Sequence, residues 1–343
     1  MRICHIIATV HGWGGLERCV TDLATFQSAS HDVAVVGTAD VLKHMGPAVQ
    51  KLIVPMHHSR RDPRLLWAVR RAVLDFRPDV IHAHAGKGAA LVNNVRWLLP
   101  RLPRVATIHG TKRRLGFLRH FDRVIAVSRR AGQSLGRVPF TVVWNAIPPQ
   151  PVPPRPADLS PYPFLGRGRP VFATVGRLVE EKAFDVLLRA LPTVDACLWI
   201  IGDGALRGEL EALTAKLNLT DRVWFTGFRS DVPTLMCLAD VMVISSRREG
   251  FPLALVEMLH LRRPVVGTRV AGVEEILPAE WMCEPEDATG LADLMRKAAE
   301  QLPSLPGEFK PVFDLAAREL RLDAAARKVE AVYHEAVHTS TAR

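Results

Sequence analysis

Several features that would place this chain in a common class of protein are missing from its sequence. The longest apolar runs, such as 197–201 and 241–244, are far shorter than the roughly 20 residues that a membrane-spanning helix needs. The N-terminal stretch MRICHIIATV contains His5 and no small-residue cleavage site, so it predicts a first strand and not a secretory signal. No internal repeat or low-complexity tail is evident. A globular chain without a membrane anchor is expected.

Cysteine is scarce as well. The five cysteines are scattered, odd in number and without a Cys-x-x-Cys pair. This distribution argues against a disulfide framework and a zinc site, and it favours free thiols in a reducing cytoplasm. Because no Asp-x-Asp pair follows a predicted strand either, neither a metal nor a cofactor is expected.

Positive charge is abundant but unevenly distributed. Residues 1–150 contain 22 Lys and Arg against 8 Asp and Glu, whereas residues 151–343 contain 23 against 27. Such asymmetry predicts an anionic surface or polymer next to the first half. A nucleic-acid-binding protein would also be basic, but no zinc-finger spacing, aromatic RNA-binding strand or helix-turn-helix signal is present, so nucleic acid is not an expected partner.

The alternation of segments predicts two domains, for which 343 residues suffice. Buried-strand runs alternate with helical segments, which is typical of a parallel sheet with helices on both faces. Between two such series lies the proline-dense stretch PPQPVPPRPADLSPYPFLGRGRP, which resists both helix and sheet. The expected fold is therefore α/β, with two doubly wound Rossmann-like domains facing one another across a cleft. The expected divisions are a first domain at 1–150, a linker at 151–170, a second domain at 171–312 and a C-terminal helix at 313–343 that crosses the domain junction.

Individual elements follow from the same patterns. Strands are predicted at 2–10, 32–37, 79–82, 104–108, 123–127, 141–143, 171–175, 197–201, 222–226, 241–244 and 264–267. Helices are predicted at 16–27, 63–76, 183–191, 205–217, 252–261, 287–301 and 313–338.

The stretch SSRREGFPLALVEML carries the strongest chemical signal. A short strand runs into a polar loop, and a helix begins near Pro252, since proline is favoured in a first helical turn. Backbone N–H groups at a helix start form an anion site. Glu249 stands beside this site and Glu257 follows within the helix; carboxylates accept hydrogen bonds from sugar hydroxyls. An acidic helix start with a solvated glutamate is the alternative.

Two cations in VGRLVEEK complement these acids. Arg177 and Lys182 follow the first strand of the second domain. An arginine fork and a lysine point charge suit a diphosphate. A surface loop in which Lys182 pairs with neighbouring glutamates is the alternative.

The succession GRL, EK, IIGDG, VWFTGF, SSRREGFPLALVEML and AGVEEI resembles the retaining nucleotide-sugar glycosyltransferases of the family 4 type, which have the GT-B fold. The similarity covers nearly the whole second domain. It implies that Arg177 and Lys182 contact the donor diphosphate. It also implies that Glu249 lies near the hydroxyls of the transferred sugar and that Glu257 holds the ribose.

The same resemblance implies further contacts. The backbone at Gly250, Phe251 and Leu253 would reach the phosphate, and His109 would act with Glu249 as a catalytic residue near the donor sugar. The turn HGWGG would bring Gly14 and Gly15 close to the donor phosphate or the acceptor, although a purely structural turn is equally compatible. The histidines of VIHAHAG, His82 and His84, are typical of hydrogen-bonded scaffolding at a strand end.

Two departures from the family pattern stand out. Asn145-Ala146-Ile147-Pro148 replaces the usual Asn-Gly-Ile-Asp, which puts a contact from the missing aspartate in doubt. Ala183 replaces the usual glycine after Lys182. Neither change affects the two glutamates.

The expected function is a metal-independent, retaining transfer of a sugar from a nucleotide diphosphate to a glycan or lipid-linked glycan, such as cell-envelope polysaccharide or lipopolysaccharide. The enzyme is expected in the cytoplasm, peripheral at the inner face of the cell membrane. Its basic half would meet anionic lipid through the helix 63–76 and the loop Lys112-Arg113-Arg114, with Trp67 and Trp97 at the interface. A GT-B nucleotide-sugar epimerase and a non-catalytic membrane-binding scaffold are the alternatives, and the donor nucleotide stays open.

Overall fold

The structure, a computed structural model, describes residues 1–10, 12–111, 115–166 and 168–341. It divides the chain into two compact units. Unit 1 comprises Met1–Pro148 and the C-terminal residues from Glu319, and unit 2 comprises Pro149–Arg318. In the described ranges no helix combines the length and the apolar character needed to cross a bilayer.

Unit 1 is built on a parallel sheet. Its strands are β1 Arg2–Ile7, β2 Asp32–Gly37, β3 Gln50–Ile53, β4 Val80–His84, β5 Arg104–Ile108, β6 Arg123–Ala126 and β7 Thr141–Val142. They pair in the order β3-β2-β1-β4-β5-β6-β7. The helices before residue 149 are α1 Gly15–Gln27, α2 Ala39–Leu42, α3 Pro63–Phe76, α4 Ala85–Val95 and α5 Arg129–Gln133, with 3₁₀ turns at Arg96–Leu98 and Gly116–His120.

Unit 2 repeats this plan with a six-stranded parallel sheet. Its strands are β8 Val171–Val175, β9 Cys197–Ile201, β10 Val223–Gly227, β11 Val241–Ile244, β12 Val265–Thr268 and β13 Met282–Cys283, in the order β10-β9-β8-β11-β12-β13. Its helices are α6 Phe184–Ala190, α7 Arg207–Lys216, α8 Val232–Leu238, α9 Leu253–His260, α10 Ala288–Glu300, α11 Leu305–Glu308 and α12 Lys310–Glu319, with 3₁₀ turns at Glu180–Lys182, Leu191–Thr193 and Ala279–Trp281. The prediction of two doubly wound α/β domains is confirmed.

Strand periodicity sorts the side chains of unit 1 into two cores. Successive strand residues point to opposite faces of a sheet. Cys4 and Ile6 of β1 therefore join the core that contains α3 and α4, whereas Ile3 and Ile7 join the core on the other face. That second core contains α1 and the last helix of the chain, α13 Leu322–Thr341.

The end of the chain differs from the single helix that its sequence predicts over 313–338. The structure has α12 and α13, separated at Leu320 and Arg321. Ile147 donates its amide to the Leu320 carbonyl (3.3 Å) and accepts from the amide of Leu322 (2.9 Å). These backbone bonds interrupt the helix, and the chain returns to unit 1 at this point.

The proline-dense stretch groups with unit 2 and is not a separate segment at 151–170. Trp199 Nε1 of β9 donates to the Pro163 carbonyl (3.0 Å), and the Tyr162 hydroxyl donates to Asp231 (3.2 Å). Since Trp199 is fully buried, this bond fixes the stretch to the edge of the core.

Candidate functional site

The loops after β8 and β11 lie side by side because these two strands pair in parallel at the centre of the unit 2 sheet. In open α/β sheets, ligands bind at the carboxyl ends of the strands where the strand order reverses. Lys182 comes from the first loop and Glu249 from the second. Both line one small cavity of about 10 Å³ together with Ser246 and Pro252, which gives room for about one water.

Lys182 and Glu249 form an ion pair, which the sequence does not predict. Lys182 Nζ donates to Glu249 Oε1 at 2.6 Å, and the Ser246 hydroxyl donates to the same oxygen at 2.7 Å. In the described parts of the chain the other carboxylate oxygen, Oε2, has no hydrogen-bond partner. The lysine side chain passes over Gly176, where an added Cβ would come within 3.2 Å of Lys182 Cε. The cation and the acceptor oxygen are therefore held together.

Arg247 braces this loop, and sequence reasoning did not identify it. Its guanidinium contacts Glu286, donates to Asp185 (2.9 Å) and donates to the Glu180 carbonyl (2.7 Å). Hydrogen bonding to Asp185 raises the pKa of the Arg247 guanidinium. Burial opposes ionisation of Asp185, but the bonds from its arginine neighbours hold the pKa of that carboxyl below its usual value. The sequence feature that could have identified Arg247 is its position two residues before Glu249.

Helix α9 begins at Leu253, one residue later than the sequence predicts, with Pro252 in the preceding cap position. The first N–H groups of a helix have no intrahelical acceptor. Phe251 is buried against Gly272, where a Cβ would lie 2.7 Å from Phe251 Cα. This contact fixes the chain direction into the helix. Gly250 is buried beside it, and Glu257 is half-buried on α9.

Arg177 differs from Lys182 in its surroundings. Its side chain is exposed and makes no ion pair or hydrogen bond with another residue that the structure describes. The cavity that holds Lys182 and Glu249 is not lined by it. The structure thus brings Lys182, Glu249 and the start of α9 together, and leaves Arg177 in solvent.

In unit 1 the glycine turn precedes α1, as the sequence predicts. Gly14 occupies the cap position of α1 in an extended conformation, and Gly15 is the first helical residue. Gly12 has φ +89°, a left-handed conformation that favours glycine. His11 and the basic loop Lys112-Arg113-Arg114 lie outside the described residues.

Four histidines gather on the face of the unit 1 sheet that carries α1 and α13. His5 of β1 is the register partner of His82 of β4, and His84 follows two residues later on the same face. His109, just beyond β5, lies with its ring centroid 5.8 Å from that of His84. His5 was not identified from the sequence, because strand pairing brings it into the cluster.

Two of these rings share a hydrogen bond, and a third is hydrogen bonded to side chains of neighbouring elements. His5 lies between His84 Nε2 (2.9 Å from Nδ1) and the side-chain oxygen of Gln27 (3.0 Å from Nε2). His82 lies between the Tyr333 hydroxyl (2.6 Å) and the Thr107 hydroxyl (2.7 Å).

The cluster is held in the neutral form. Burial lowers the pKa of His5 to about 4 and that of His109 to about 4. Burial, with the neighbouring histidines, also holds the pKa of His82 and of His84 well below the usual value. A carbon-rich environment penalises the charged form of an imidazole.

The ring nitrogens of His5, His82 and His84 lie within 4.8 Å of one another, a spacing that fits ligands of one metal ion. However, both nitrogens of His5 and of His82 already have protein partners. A metal ion would have to displace those hydrogen bonds. The contacts therefore favour a hydrogen-bonded cluster.

Comparison with known proteins places these units in context. Residues 13–151 match the family described as Glycosyltransferase Family 4, and residues 169–301 match the family described as Glycosyl transferases group 1. The chain belongs to the family 4 type glycosyltransferases. Both halves of this glycosyltransferase are covered, so the resemblance found in the sequence is confirmed.

One curated relative is the lipopolysaccharide core biosynthesis glycosyltransferase LpsD of Rhizobium meliloti (strain 1021). It is 27% identical over 243 residues, which cover 68% of each chain. Among solved structures, HepE of Anabaena in complex with UDP has a TM-score of 0.82 and 22% identity, covering 97% of this glycosyltransferase and 99% of HepE. Sucrose-phosphate synthase of Thermosynechococcus elongatus has a TM-score of 0.81 and 19% identity, covering 97% and 98%. These structural similarities show the shared GT-B fold.

Proposed function

We propose that this glycosyltransferase moves a sugar, with retention at the anomeric carbon, from a nucleotide diphosphate to a glycan or lipid-linked glycan of the cell envelope. The observation that carries the proposal is the Lys182–Glu249 pair at the start of α9. A cation, a carboxylate and the amides of a helix start stand at the strand ends where α/β sheets bind ligands. The cell-envelope acceptor is supported by the relation to LpsD.

The departure of the nucleotide diphosphate gives the two cations, Lys182 and Arg177, a role in the reaction. As the bond from the anomeric carbon to the diphosphate breaks, negative charge develops on the phosphate. Lys182, Arg177 and the first amides of α9, near Gly250, Phe251 and Leu253, would stabilise that charge without a metal ion. Exposed Arg177 is available to form a fork on the phosphate.

Glu249 would recognise the sugar, since one of its oxygens is occupied by Lys182 and Ser246 and the other is left for a hydroxyl. Glu257 would hold the ribose, and His109 would contact the sugar, as the resemblance implies. The acceptor oxygen would then bond to the anomeric carbon on the face that the diphosphate leaves. Its proton would pass to a phosphate oxygen of the donor, which needs no protein nucleophile.

A nucleotide panel followed by Glu249→Gln tests this proposal. UDP, GDP and ADP are screened by thermal shift; saturation at 100 times the dissociation constant adds about 2.7 kcal/mol. Glu249→Gln should lower turnover of the matching nucleotide sugar by about a hundredfold or more. Binding of the nucleotide diphosphate alone should persist or tighten, because Lys182 loses its competing carboxylate.

Glu280→Gln, an exposed change in unit 2, is the control and should keep wild-type turnover. An unaltered rate in Glu249→Gln would remove the central role proposed for this carboxylate. Absence of binding to any nucleotide would overturn the donor proposal as a whole.

We also propose that unit 1 docks on anionic membrane through a tryptophan–arginine patch formed by Trp67, Arg70, Arg96, Trp97 and Leu98. Trp67 and Trp97 are 61% and 79% exposed. The Arg70 guanidinium lies 4.7 Å from the Trp67 ring centroid and donates to the Leu98 carbonyl at 2.9 Å. The Arg96 guanidinium lies 4.4 Å from the Trp97 ring centroid. Tryptophan favours the lipid–water interface, and arginine is attracted to anionic headgroups.

Vesicle co-sedimentation tests the patch. Binding to anionic vesicles should fall with salt, and Arg70→Ser or Arg96→Ser should each weaken it about fivefold, as expected for about 1 kcal/mol per charge. Arg296→Ser on α10 of unit 2 should leave binding unchanged. Equal binding to neutral and anionic vesicles would contradict an electrostatic docking surface.

A further inference from the structure

Three arginines and a histidine gather at the amino ends of β5 and β6 in unit 1. Arg104 is the first residue of β5, and Arg119 and His120 end the 3₁₀ turn that precedes β6. Arg96 begins the 3₁₀ turn after α4. We call these four side chains the arginine–histidine cluster. They lie at the opposite edge of the sheet from the carboxyl strand ends where α/β sheets bind ligands, so sugar transfer does not account for them.

Hydrogen bonds join three members of the cluster. His120 Nδ1 lies 3.0 Å from the side-chain oxygen of Asn93, and Arg96 Nη1 donates to the same oxygen at 2.8 Å. Arg119 Nε donates to His120 Nε2 at 3.4 Å. Since an amide oxygen only accepts and a guanidinium only donates, His120 carries its proton on Nδ1 and is neutral. A neutral imidazole thus lies between two cations.

The positive charge of the cluster is not balanced by carboxylates. Within the described ranges, none of the three arginines forms an ion pair with an acidic side chain. Asp122 Oδ2 accepts from the backbone amide of Arg104 at 2.8 Å and not from its guanidinium. Arg104 Nε is buried and has no hydrogen-bond partner among the described residues. Because buried polar atoms are nearly always paired, this N–H group points to a partner outside the protein chain.

The members of the cluster oppose one another's charge. Partial burial and then the charges of the three arginines lower the pKa of His120. Burial also lowers the pKa of Arg104, with Arg96 acting in the same direction and Asp122 against it. Like charges at short range disfavour the charged form of each group. A bound anion would remove this penalty.

We infer that the arginine–histidine cluster binds a phosphate group and that His120 takes up a proton from the solvent on binding. Phosphate oxygens accept charge-assisted hydrogen bonds from guanidinium groups. Arg104 Nε would gain the acceptor that it lacks. The Nε2–H group of protonated His120 would donate to the anion, and Arg119 would turn from the imidazole to the phosphate.

The inference goes beyond the proposed sugar transfer and does not depend on it. A free phosphate and a phospholipid headgroup offer the same chemistry to the cluster. Arg96 also belongs to the tryptophan–arginine patch, so a headgroup bound here would lie beside that surface. The experiment therefore has one part for the site and one for the source of the phosphate.

Histidine-ring NMR of the full chain tests the site. The His120 resonance is identified by its loss in His120→Gln, and its titration midpoint is measured in chloride and in sulfate at equal ionic strength. Sulfate is the tetrahedral probe because it keeps its charge across this range. We expect a midpoint below the ordinary value in chloride and a higher one in sulfate. Sulfate binding should therefore strengthen as pH falls through the midpoint.

Arg119→Gln removes an exposed guanidinium and does not disturb the core. It should weaken binding of sulfate and of inorganic phosphate about tenfold or more, as expected for a hydrogen bond between charged groups, and Arg104→Gln should do the same. Both dissociation constants follow from the dependence of the His120 resonance on anion concentration. Lys43→Gln removes one positive charge from exposed α2 and is the matched control, which should bind like wild type.

Co-sedimentation with phosphatidylglycerol vesicles identifies the source of the phosphate. If Arg119→Gln weakens vesicle binding more than Lys43→Gln does, and inorganic phosphate competes, the site takes a lipid headgroup. Unchanged vesicle binding together with weakened phosphate binding assigns the site to free phosphate.

An equal His120 midpoint in chloride and sulfate would overturn the inference and leave the cluster as a solvated basic surface. An equal sulfate-dependent shift in wild type, Arg119→Gln and Arg104→Gln would overturn it as well. Neither result bears on the proposed sugar transfer, which the nucleotide panel and Glu249→Gln test separately.

Discussion

The two units share the same order of six strands, with a seventh strand in unit 1, but the polar groups at their strand ends differ in charge and burial. In unit 2 the groups at the strand ends are charged and paired, as Lys182 with Glu249 and Arg247 with Asp185. In unit 1 they are buried, neutral and hydrogen bonded, as His5 with His84 and His82 with Tyr333. The charge at the strand ends is therefore determined by the residues on the sheet face and not by the fold itself.

This difference predicts that acid pH destabilises unit 1 and that phosphate groups bind to unit 2. Partly exposed charges interact with ligands and ions but change protonation only outside the neutral range. Buried histidines are kept neutral by their surroundings, and they therefore control how the stability of their unit changes through the mildly acid pH range.

The largest expected effect is acid destabilisation of unit 1. Burial lowers the pKa of His5 to about 4 from an ordinary value of 6.5, so the folded form stays neutral while the unfolded form takes up a proton. The free energy of unfolding should be constant above about pH 7 and should fall as pH decreases from about 6.5 to about 4. His5 alone corresponds to about 3 kcal/mol, and the other cluster histidines add to it in the same direction.

Hydrogen–deuterium exchange measures this loss of stability separately in each unit. Peptides covering 2–7 and 80–84 should lose protection between pH 7 and pH 5, after correction for intrinsic exchange, and peptides covering 171–175 and 197–201 should not. The Asp185 pKa is depressed, so its contribution in unit 2 is lost only below the usual carboxyl range. Equal loss in both units would contradict the contrast drawn between them.

The next effect concerns ligand binding at the charged site. Arg177→Ala and Lys182→Ala should each weaken nucleotide diphosphate binding by about 1.5–3 kcal/mol, as expected for hydrogen bonds to charged groups. Binding of the bare nucleoside should hardly change. Calorimetry at two salt concentrations measures both ligands.

A double variant sharpens this prediction. In Lys182→Ala, Glu249 loses its cation and its negative charge then lies next to the phosphate. The loss of diphosphate affinity caused by Lys182→Ala should therefore be smaller when Glu249→Gln is already present. Normal diphosphate binding in both single variants would show that these cations do not contact the donor. Activity should persist in EDTA, and a strict need for added Mg²⁺ would show that these charges are insufficient.

The sequence predicted the helices and strands that have a clear local pattern of apolar residues. Helix 63–76 was predicted with its observed ends, because its apolar residues recur on one helical face, of which Leu65, Val69, Val73 and Phe76 are buried in the structure. Strands 197–201 and 241–244 also match, since both are fully buried apolar runs.

Other elements gave no such signal. Strand β3 begins with Gln50 and Lys51 and is mostly exposed, so it lacks an apolar pattern. Helix α4 contains Gly86 and Gly88, which oppose a helical prediction. Its second glycine is explained by packing, because a Cβ at Gly88 would lie 3.0 Å from the Ile6 carbonyl.

The candidate site was predictable in its residue types but not in its contacts. The sequence indicated Lys182 and Glu249 as separate ligand contacts, whereas their ion pair depends on the pairing of β8 with β11. Likewise, His82, His84 and His109 were visible, but His5 joins them only through its register with His82. Register between distant strands is a tertiary property that local patterns do not contain.

The smallest expected effect tests the loop that carries Lys182. Ala183 has φ +51° and ψ +41°, a left-handed conformation, and it is fully buried. This explains why glycine is usual at that position, since alanine costs about 1–2 kcal/mol more there than in a right-handed helix. Ala183→Gly removes that strain but loses a buried methyl and adds freedom to the unfolded chain. The free energy of unfolding should therefore change by less than about 1 kcal/mol.

Ala190→Gly is the matched control, because Ala190 is also buried but has φ −73° at the end of α6. There glycine loses the methyl and the backbone preference with no strain to relieve. Urea unfolding followed by hydrogen–deuterium exchange of the unit 2 peptides 171–175 and 197–201 should show Ala190→Gly to be less stable than Ala183→Gly by about 1–2 kcal/mol. Equal losses would mean that the left-handed alanine is not strained. The shape of the Lys182 loop would then come from the Ser245 hydroxyl, which donates to the Lys182 carbonyl at 2.8 Å, and from Arg247, whose amide donates to Glu181 at 2.8 Å.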